Sequence, residues 1–322
     1  MRNAFAAEIT DLAQDEKGLV LLMGDIGNHL FDRYKERYAA RFYNCGVAEA
    51  NMISVAAGLA SCGLRPVCYT ITPFATTRCL EQIRVDLCYH HVPVIVVGTG
   101  SGLSYASLGA THHSCEDIAM LRVLPGIKVL CPGDPLEVRA CLRAALKEEG
   151  PVYMRIGKKG EPAIHQEMPD ITIGKCTVIK KGTSVCILNA GNTLPLALQA
   201  AEELDSLGFS TEVTSFHTIK PLDEEYLGRA FSQFELVATV EEHSILGGFG
   251  GSVAEWLCDQ ENLRAQILRF GTADDFLHKA GDQAYARKYY GLTRDHIVAR
   301  IEEKLHHRVR QKESGITTVR YG

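Results

Sequence analysis

Short apolar runs alternate with stretches of helix length along the first half of the chain. A strand that is apolar throughout is typical of a parallel sheet covered by helices on both faces. We therefore predict an α/β domain over residues 1–162. Its strand-like runs are residues 19–23, 66–71, 92–97, 127–131 and 152–156.

A stretch rich in proline, glycine and charge at residues 163–174 interrupts this alternation and is predicted to be a linker. Apolar runs then resume, with a leucine-rich helix expected at residues 192–207 and ended by Gly208. This pattern predicts a second α/β domain at residues 175–305, so the expected fold class is two doubly wound α/β domains. Residues 306–322 are polar, basic and aperiodic, and are expected to form a loosely ordered tail. The strand-like runs of the second domain are residues 184–188, 211–216, 236–241 and 265–270.

Composition and charge are those of a soluble globular protein of about two domains. Of the 322 residues, 46% are hydrophobic and 23% are charged, and the net charge is -5 at pH 7. Such a charge disfavours a nucleic-acid partner. No run of about 18 apolar residues is present to span a membrane, and the N-terminus begins an amphipathic helix without the core of a signal peptide. We expect a cytoplasmic protein that binds neither nucleic acid nor membrane.

The eleven cysteines are dispersed, and no two of them are spaced C-x-x-C. Several, such as Cys68, Cys131 and Cys186, lie inside apolar strand-like runs. We interpret them as reduced, buried small hydrophobic residues, which argues against a disulfide framework and a zinc site.

Motifs that bind nucleotides or carry a hydrolase nucleophile are absent from the sequence. No G-x-G-x-x-G follows a predicted strand, and neither G-x-x-x-x-G-K-[ST] nor G-x-S-x-G occurs. The glycine-rich residues 98–102 follow a predicted strand and permit a flexible loop over a site. Fold class alone does not determine function, so the chemistry must be inferred from individual side chains.

Glu49 stands at the start of a predicted helix whose other residues are mostly small or apolar. The segment reads NCGVAEANMISVAAGLA over residues 44–60. A carboxyl group inside a closely packed helix can bind a protonated ring nitrogen or take part in a proton relay. The alternative is a solvent-facing carboxylate that caps the first helical turn, where the helix dipole favours negative charge.

The residues around Glu49 resemble those of a known family. Gly46-Val47-Ala48-Glu49 and the following helix are similar to the pyrimidine-binding domain of transketolase and deoxyxylulose-phosphate synthase, whose catalytic glutamate lies in a G-[IV]-x-E motif. The resemblance continues in the family's order through both halves of the chain and implies a thiamine-diphosphate-dependent enzyme. The further matching stretches are TPFATTRCLEQIR at 72–84, GATHHS at 109–114, residues 116–134, TIKPLD at 218–223 and residues 241–250.

The resemblance assigns three residues to the cofactor thiamine diphosphate. Glu49 is expected to hydrogen-bond a ring nitrogen of the aminopyrimidine, which gives it a catalytic role in activating the cofactor. Phe74 is expected to stack on the same ring, with a plain core aromatic residue as the alternative. Arg78 is expected to be a further cofactor contact.

The resemblance also implies which residues face the substrate. His112 is expected to lie by the thiazolium ring of the cofactor, where it binds substrate oxygens or shuttles protons. His113 is either a second catalytic histidine or a structural one. Arg155 matches an arginine that holds the substrate phosphate, with a surface salt bridge as the alternative. Asp25 is expected to line the substrate side of the site.

The part of the family's fold that holds the diphosphate and Mg²⁺ is not recognised in the chain. Full-length transketolases carry it in a preceding domain with a G-D-G motif and a downstream asparagine, of which GDIG at residues 24–27 is only a superficial echo. The resemblance therefore implies the C-terminal half of a split transketolase, which transfers a two-carbon ketol unit from a ketose to an aldose or aldehyde. Such a chain has no metal ligands of its own and needs an N-terminal transketolase subunit. An α2β2 heterotetramer is expected.

Three departures from the family pattern concern the substrate. Leu108 stands where family loops commonly carry an aspartate that reads a sugar hydroxyl, and Ala110 replaces the proline of G-P-T-H. Asp25 occupies the position of a phosphate-contacting serine. An apolar and an anionic residue at these positions favour a modified sugar, a different acceptor or a non-phosphorylated ketose over ordinary phosphopentose exchange.

Two other interpretations stay open at this point. One is the β chain of a 2-oxoacid dehydrogenase or another acyl- or acyloin-forming thiamine-diphosphate enzyme, although residues 111–113 and 218–223 match transketolase better. The other is a regulatory or scaffold protein that kept the fold. The joint presence of Glu49, Phe74 and His112 argues against the second interpretation.

Overall fold

The computed structural model describes residues 1–26, 29–261, 263 and 265–313, with side chains described as far as His307. Within these ranges the chain forms two α/β units, each built on its own sheet. The first sheet has seven strands and the second has five. This arrangement confirms the predicted fold class.

The first half of the chain supplies the strands β1 (Leu19–Met23), β2 (Phe42–Asn44), β3 (Arg65–Ile71), β4 (Ile95–Thr99), β5 (Lys128–Leu130) and β6 (Val152–Ile156). Its helices are α1 (Arg2–Leu12), α2 (Asp32–Arg37), α3 (Glu49–Ser61), α4 (Thr72–Ala75), α5 (Leu80–Gln82), α6 (Asp117–Arg122) and α7 (Pro135–Ala145). Tighter 3₁₀ turns lie at Ala39–Arg41, Thr77–Cys79 and Ala106–Leu108, and a π-helix lies at Ile83–Tyr89.

The second half supplies the strands β7 (Thr177–Lys180), β8 (Val185–Ala190), β9 (Thr211–Ser215), β10 (Thr218–Lys220), β11 (Leu236–Ser244) and β12 (Gln266–Thr272). Its helices are α8 (Leu194–Ser206), α9 (Glu224–Gln233), α10 (Phe249–Cys258), α11 (Gln283–Tyr289) and α12 (Arg294–Glu313).

The first sheet has the strand order β10-β5-β6-β4-β3-β1-β2, in which β1 to β6 run parallel. Both faces of its central strands are covered. Val20 and Leu22 of β1 belong to the core that includes α3, whereas Leu19, Leu21 and Met23 belong to the core that includes α1. Burial on both faces explains why these strands are apolar throughout instead of alternating.

The second unit is joined to the first by an exchanged edge strand. β10 comes from the second half of the chain but pairs antiparallel with β5, with Thr218 opposite Leu130. One apolar core continues from the face of the first sheet into the second unit, where the rings of Phe216 and Phe249 lie 5.0 Å apart. The shared strand and core fix the second unit against the loops of the first.

The second sheet has the strand order β12-β11-β8-β9-β7 and is parallel except for β7. Its longest strand, β11, carries Glu242 and His243, and both side chains are fully buried. These polar residues lie where the second unit meets the first.

The apolar pattern predicts the bounds of β1 and β6 as observed, and the other long strands within a few residues. It does not predict β2, β7 or β10, because these strands are only three or four residues long and are not apolar throughout. The segment between β6 and β7, which includes the predicted linker, contains neither helix nor strand.

The last helix, α12, continues to Glu313 and so includes the first residues of the polar segment predicted at residues 306–322. Ile297, Ile301 and Leu305 anchor α12 on the core of the second unit, and a helix anchored in this way propagates beyond its apolar face. Residues 314–322 lie outside the described residues, as does Gly27 of the GDIG segment.

All eleven cysteines are free thiols, and Cys68, Cys131 and Cys186 are buried, as the sequence predicts. None of the helices among the described residues combines the length and apolar character that a membrane crossing requires.

Candidate active site

The predicted site residues follow the carboxyl ends of the parallel strands in the first sheet. Asp25 follows β1, Glu49 follows β2, Phe74 and Arg78 follow β3, and the loop with His112 follows β4. The carboxyl ends of parallel strands meet at one edge of an open α/β sheet, which is where such folds bind ligands. The fold therefore brings together side chains that are distant in sequence.

Glu49 is buried at the start of α3 and is paired with Arg78. Its side chain is 2% exposed, and Arg78 Nη1 donates to Glu49 Oε2 at 2.6 Å. Burial excludes the alternative of a solvent-facing helix cap. An ionised carboxyl group in such surroundings needs a partner, and the charge-assisted hydrogen bond supplies one. Because Arg78 is 42% exposed, solvent screens part of this attraction.

Phe74 lies between Arg78 and His112. The guanidinium carbon of Arg78 is 4.2 Å from the centroid of the Phe74 ring, which is a cation–π distance. The His112 ring meets Phe74 edge-on, with centroids 5.3 Å apart and planes at 68°. Phe74 is half-buried, so it is not a plain core residue. The guanidinium group of Arg78 therefore covers one face of the Phe74 ring.

The backbone at Gly24 packs closely against Thr70 and Glu49. An added Cβ would lie 2.8 Å from Thr70 Oγ1 and 3.4 Å from Glu49 Oε1. Thr70 is buried, and its hydroxyl has no hydrogen-bond partner among the described residues. Asp25 is exposed and accepts a hydrogen bond of 3.1 Å from Asn44 Nδ2. A close backbone approach at Gly24 and an unpaired hydroxyl at Thr70 therefore lie near Glu49.

His112 is half-buried on the loop after β4. Its Nδ1 lies 2.9 Å from Thr111 Oγ1. Burial, and to a lesser degree His113, lowers the pKa of His112 from its ordinary value of 6.5, so the ring is neutral at neutral pH. With Nδ1 engaged by Thr111, Nε2 is the nitrogen that can exchange a proton with a ligand.

His113 has different surroundings from His112. It is buried, and its Nε2 lies 3.3 Å from the carbonyl oxygen of Ala106 on the same loop. This contact favours a role in holding the loop over direct contact with a substrate.

Sequence reasoning missed two residues that extend the site. The Tyr105 ring centroid lies 6.2 Å from that of His112, and Lys158 Nζ lies 4.5 Å from the centroid of the Tyr105 ring. The available signal was a Gly-Lys-Lys sequence directly after the apolar strand β6, since strand ends converge on the site. We call the resulting series of contacts the site row; it consists of Glu49, Arg78, Phe74, His112, Tyr105 and Lys158.

Arg155 does not lie in the site row. It is 2% exposed, which excludes the alternative of a surface salt bridge. Its Nε donates to Asp117 Oδ2 at 2.8 Å, and its Nη2 donates to the carbonyl oxygens of Ser114 at 3.0 Å and Glu242 at 2.6 Å. These contacts favour a structural role between the two units over the phosphate contact that the resemblance implies.

The chemistry of the site fits the pyrimidine end of thiamine diphosphate. Arg78 is a planar nitrogen-bearing group that covers the Phe74 ring and donates to Glu49 at the same time. An aminopyrimidine requires the same two partners, an aromatic face and a carboxylate acceptor. Its binding there requires the exposed guanidinium to move aside. Among the described residues, no group of three or more His, Cys, Asp or Glu side chains could hold a metal ion.

Comparison with known proteins shows the family of the chain. Two family models match the chain: Transketolase, pyrimidine binding domain, over residues 1–161, and Transketolase, C-terminal domain, over residues 174–297. The 6-deoxy-6-sulfo-D-fructose transketolase subunit SqwH of Clostridium sp. (strain MSTE9) is 35% identical over 94% of this chain and 94% of its own length. An apulose-4-phosphate transketolase subunit of Actinobacillus succinogenes is 35% identical over 82% of this chain and 84% of its own length.

A solved structure gives the same result for the fold. It is described as a split gene transketolase in an inactive beta4 tetramer, and it matches with a TM-score of 0.86 at 33% identity. The match covers 94% of this chain and 97% of the solved chain. Sequence and fold thus agree over nearly the whole length, and the chain belongs to the transketolase family as a pyrimidine-binding domain followed by a C-terminal domain.

Proposed function

We propose that this chain is the C-terminal subunit of a split, thiamine-diphosphate-dependent transketolase that transfers a two-carbon ketol unit from a ketose to an aldose or aldehyde. The observation that carries the proposal is the site row, in which a buried carboxylate, an aromatic ring and an imidazole adjoin at one edge of the sheet. A carboxylate and an aromatic ring suit the pyrimidine of the cofactor, and an imidazole suits proton exchange with sugar hydroxyls.

A second subunit completes the proposed enzyme. Relatives are named as transketolase subunits, and the solved relative is described as an inactive assembly of β chains. In the site row the single carboxylate, Glu49, is paired with Arg78, which does not suit the oxygen-rich coordination that Mg²⁺ requires. We therefore assign the Mg²⁺ and diphosphate contacts to an N-terminal transketolase subunit, in a closed two-fold α2β2 assembly.

Glu49 and Phe74 hold and orient the cofactor in this proposal. With Arg78 moved aside, Glu49 Oε2 would accept a hydrogen bond from a protonated pyrimidine ring nitrogen and hold the proton there. Phe74 would hold the ring through its aromatic face, and Arg78 would remain as a cationic contact. When bound, thiamine diphosphate supplies the reactive carbon and the electron sink for cleaving the carbon–carbon bond of the ketose.

His112 handles protons on the substrate side. Thr111 orients the ring through Nδ1, and the lowered pKa keeps the imidazole neutral. Nε2 can therefore take a proton from a sugar hydroxyl as the carbon–carbon bond breaks and return it as the new bond forms. His113 contributes by supporting the loop.

The donor in this proposal is a modified sugar with an anionic end. Asp25 is an exposed carboxylate that follows Gly24, whose backbone lies close to Glu49, so it repels an anion at the Glu49 end of the site. Leu108, which is 52% exposed on the His112 loop, has no polar atom to read a hydroxyl. Lys158 supplies a cation at the opposite end of the site row. The relatives' names refer to a sulfo sugar and to a sugar phosphate.

The function is tested by an activity assay on the purified chain mixed with an N-terminal transketolase subunit that carries the diphosphate-binding domain. We expect thiamine-diphosphate-dependent release of the shortened aldose from ketoses with a terminal sulfonate or phosphate, and no turnover by either chain alone. Acylation of lipoamide from a 2-oxoacid, without ketol transfer, would instead establish the 2-oxoacid dehydrogenase alternative.

Replacing the buried carboxyl group tests its proposed role. In the two-subunit complex, Glu49→Gln is expected to lower kcat by roughly 100-fold or more, the effect of losing a positioned proton-transfer group. The exposed carboxyl of Glu81 on α5 gives a matched control, since Glu81→Gln leaves the site row intact. Size-exclusion chromatography checks assembly. Wild-type kcat in assembled Glu49→Gln would contradict the mechanism.

Lys158→Met tests the anion contact. We expect KM for an anionic donor to rise about tenfold to a hundredfold, the range for losing a hydrogen bond to a charged group, with a smaller effect on kcat. Lys159→Met changes the neighbouring exposed lysine and should leave KM close to the wild-type value. An equal effect of the two changes would remove Lys158 from the substrate site.

The protonation of His112 sets the acid limit of activity. Because the pKa of His112 is lowered, kcat should fall only below pH 6.5, where the imidazole begins to gain a proton. His113→Gln removes the smaller of the two effects that lower the pKa of His112, so this pKa should rise and the acid limb of kcat should move to higher pH. The pKa of His112 should return only part of the way to its ordinary value, since burial is the larger cause of its lowering. The pH profile of kcat and the NMR titration of His112 measure both effects; a limb that stays in place in His113→Gln would contradict the assignment.

A further inference from the structure

His112 lies on a loop that is closed on itself. Gly102 and Ser114 pair through two backbone hydrogen bonds of 3.1 and 2.9 Å, and these close the loop between them. We call this pair the loop base. Because Tyr105 and His112 both lie on the loop, their positions depend on how the loop base is held.

Glu242 of β11, in the second unit, contacts the loop base directly. Its Oε2 accepts a hydrogen bond of 3.0 Å from the backbone N–H of Leu103. The backbone at Gly102 approaches so closely that an added Cβ would lie 2.6 Å from the Cβ of Glu242. On the other strand of the loop base, Arg155 Nη2 donates to the carbonyl oxygens of both Ser114 and Glu242. Residue 242 is thus linked to both sides of the loop base: its side chain binds Leu103, next to Gly102, and its carbonyl oxygen shares Arg155 with Ser114.

The residues next to Glu242 hold the chain beyond the loop base. The N–H of Ser244 donates to the carbonyl oxygen of Cys115 at 2.8 Å, and the N–H of Ala119 donates to His243 Nε2 at 3.3 Å. Burial lowers the pKa of His243 to about 4, so its ring is neutral and can accept this bond. Three consecutive residues of β11, 242 to 244, therefore form hydrogen bonds with three positions between residues 103 and 119.

Glu242 is itself fixed by α11. It is fully buried, accepts a hydrogen bond of 2.8 Å from Gln283 Nε2 and forms an ion pair with Arg287. Burial acts to raise the pKa of Glu242, but Arg287 and the N–H of Leu103 hold it below its ordinary value. The group is therefore an ionised carboxylate that joins α11 to the loop base.

We propose that Glu242 is a positioning residue for the chemistry at His112: its carboxylate, held by Arg287, fixes the loop base and thereby the place of His112 beside Phe74. Its kinetic consequence rests on the proposed function, whereas its mechanical part concerns this chain by itself. A displacement of about 1 Å at a catalytic group can cost roughly 100-fold in rate. Glu242 lies outside the site row, so it acts only through the loop.

Glu241 provides a matched control. It precedes Glu242 on β11, is equally buried, and accepts hydrogen bonds of 2.7 Å from the N–H groups of Phe249 and Gly250 at the start of α10. Glu241→Gln and Glu242→Gln therefore make the same chemical change at adjacent buried positions. Of the two carboxylates, that of Glu242 bonds the loop base, while that of Glu241 caps α10.

The test combines amide hydrogen exchange on the full chain with kinetics on the two-subunit complex. Exchange at Leu103 and Ser114 should accelerate about tenfold or more in Glu242→Gln, because the opening of the loop base costs less, and should stay near wild type in Glu241→Gln. In the complex, Glu242→Gln should lower kcat by roughly tenfold to a hundredfold. The dissociation constant of thiamine diphosphate should stay unchanged, since Glu49 and Phe74 follow β2 and β3.

Wild-type exchange at Leu103 in Glu242→Gln, or an equal loss of kcat in both variants, overturns the proposal. If Glu242→Gln does not fold, Gln283→Leu removes one donor from the carboxylate, together with a 3.5 Å contact to Ser104 Oγ, and should accelerate exchange at Leu103 by a smaller factor; unchanged exchange there overturns the proposal as well. A wild-type complex without ketol transfer contradicts the proposed function, while the exchange data still decide the positioning role.

Discussion

Glu49 is a carboxylate buried at the start of an apolar helix, and its need for a nitrogen partner organises the site around it. A buried charge is costly unless it is paired and hydrogen-bonded. In this chain the partner is Arg78, whose guanidinium lies over the Phe74 ring and whose side chain is 42% exposed. Because the donor Arg78 is exposed, a planar cofactor ring can replace it beside the buried Glu49. The carboxylate then keeps a hydrogen-bond partner throughout.

The second unit affects the site without contributing a residue to the site row. It completes the first sheet with β10, shares a core through Phe216 and Phe249, and holds the His112 loop through β11. Arg155 illustrates the same organisation, because its guanidinium binds backbone carbonyls from both units. The C-terminal domain is therefore part of the mechanical support of the active site and not an independent appendage.

The sequence is sufficient for the features that depend on local pattern. The apolar runs predict the parallel strands, and the motifs around Glu49, Phe74 and His112 predict residues that the fold brings together. Features that depend on neighbours distant in the chain are not predictable in this way. The Gly-Lys-Lys sequence after β6 does not reveal the contact between Lys158 and Tyr105, and the apolar pattern does not indicate that β10 joins the sheet of the other unit.

The burial of Arg155 is likewise not predictable from the sequence, because it depends on residues that are distant in the chain. A motif match identifies an arginine after an apolar run, but only the packed structure reveals that Asp117, Ser114 and Glu242 already occupy its guanidinium. The length of α12 is a further example, because the polar residues after Leu305 carry no apolar period and their helicity comes from the anchored part of the helix.

The central claim is that this chain binds the pyrimidine end of thiamine diphosphate in a site that is completed by another subunit. Isothermal titration of thiamine diphosphate with Mg²⁺ into this chain, into the N-terminal subunit and into their mixture measures this directly. Tight, Mg²⁺-dependent binding should occur only in the mixture, and Glu49→Gln should weaken it there. Equally tight, Mg²⁺-dependent binding to this chain alone would contradict the claim.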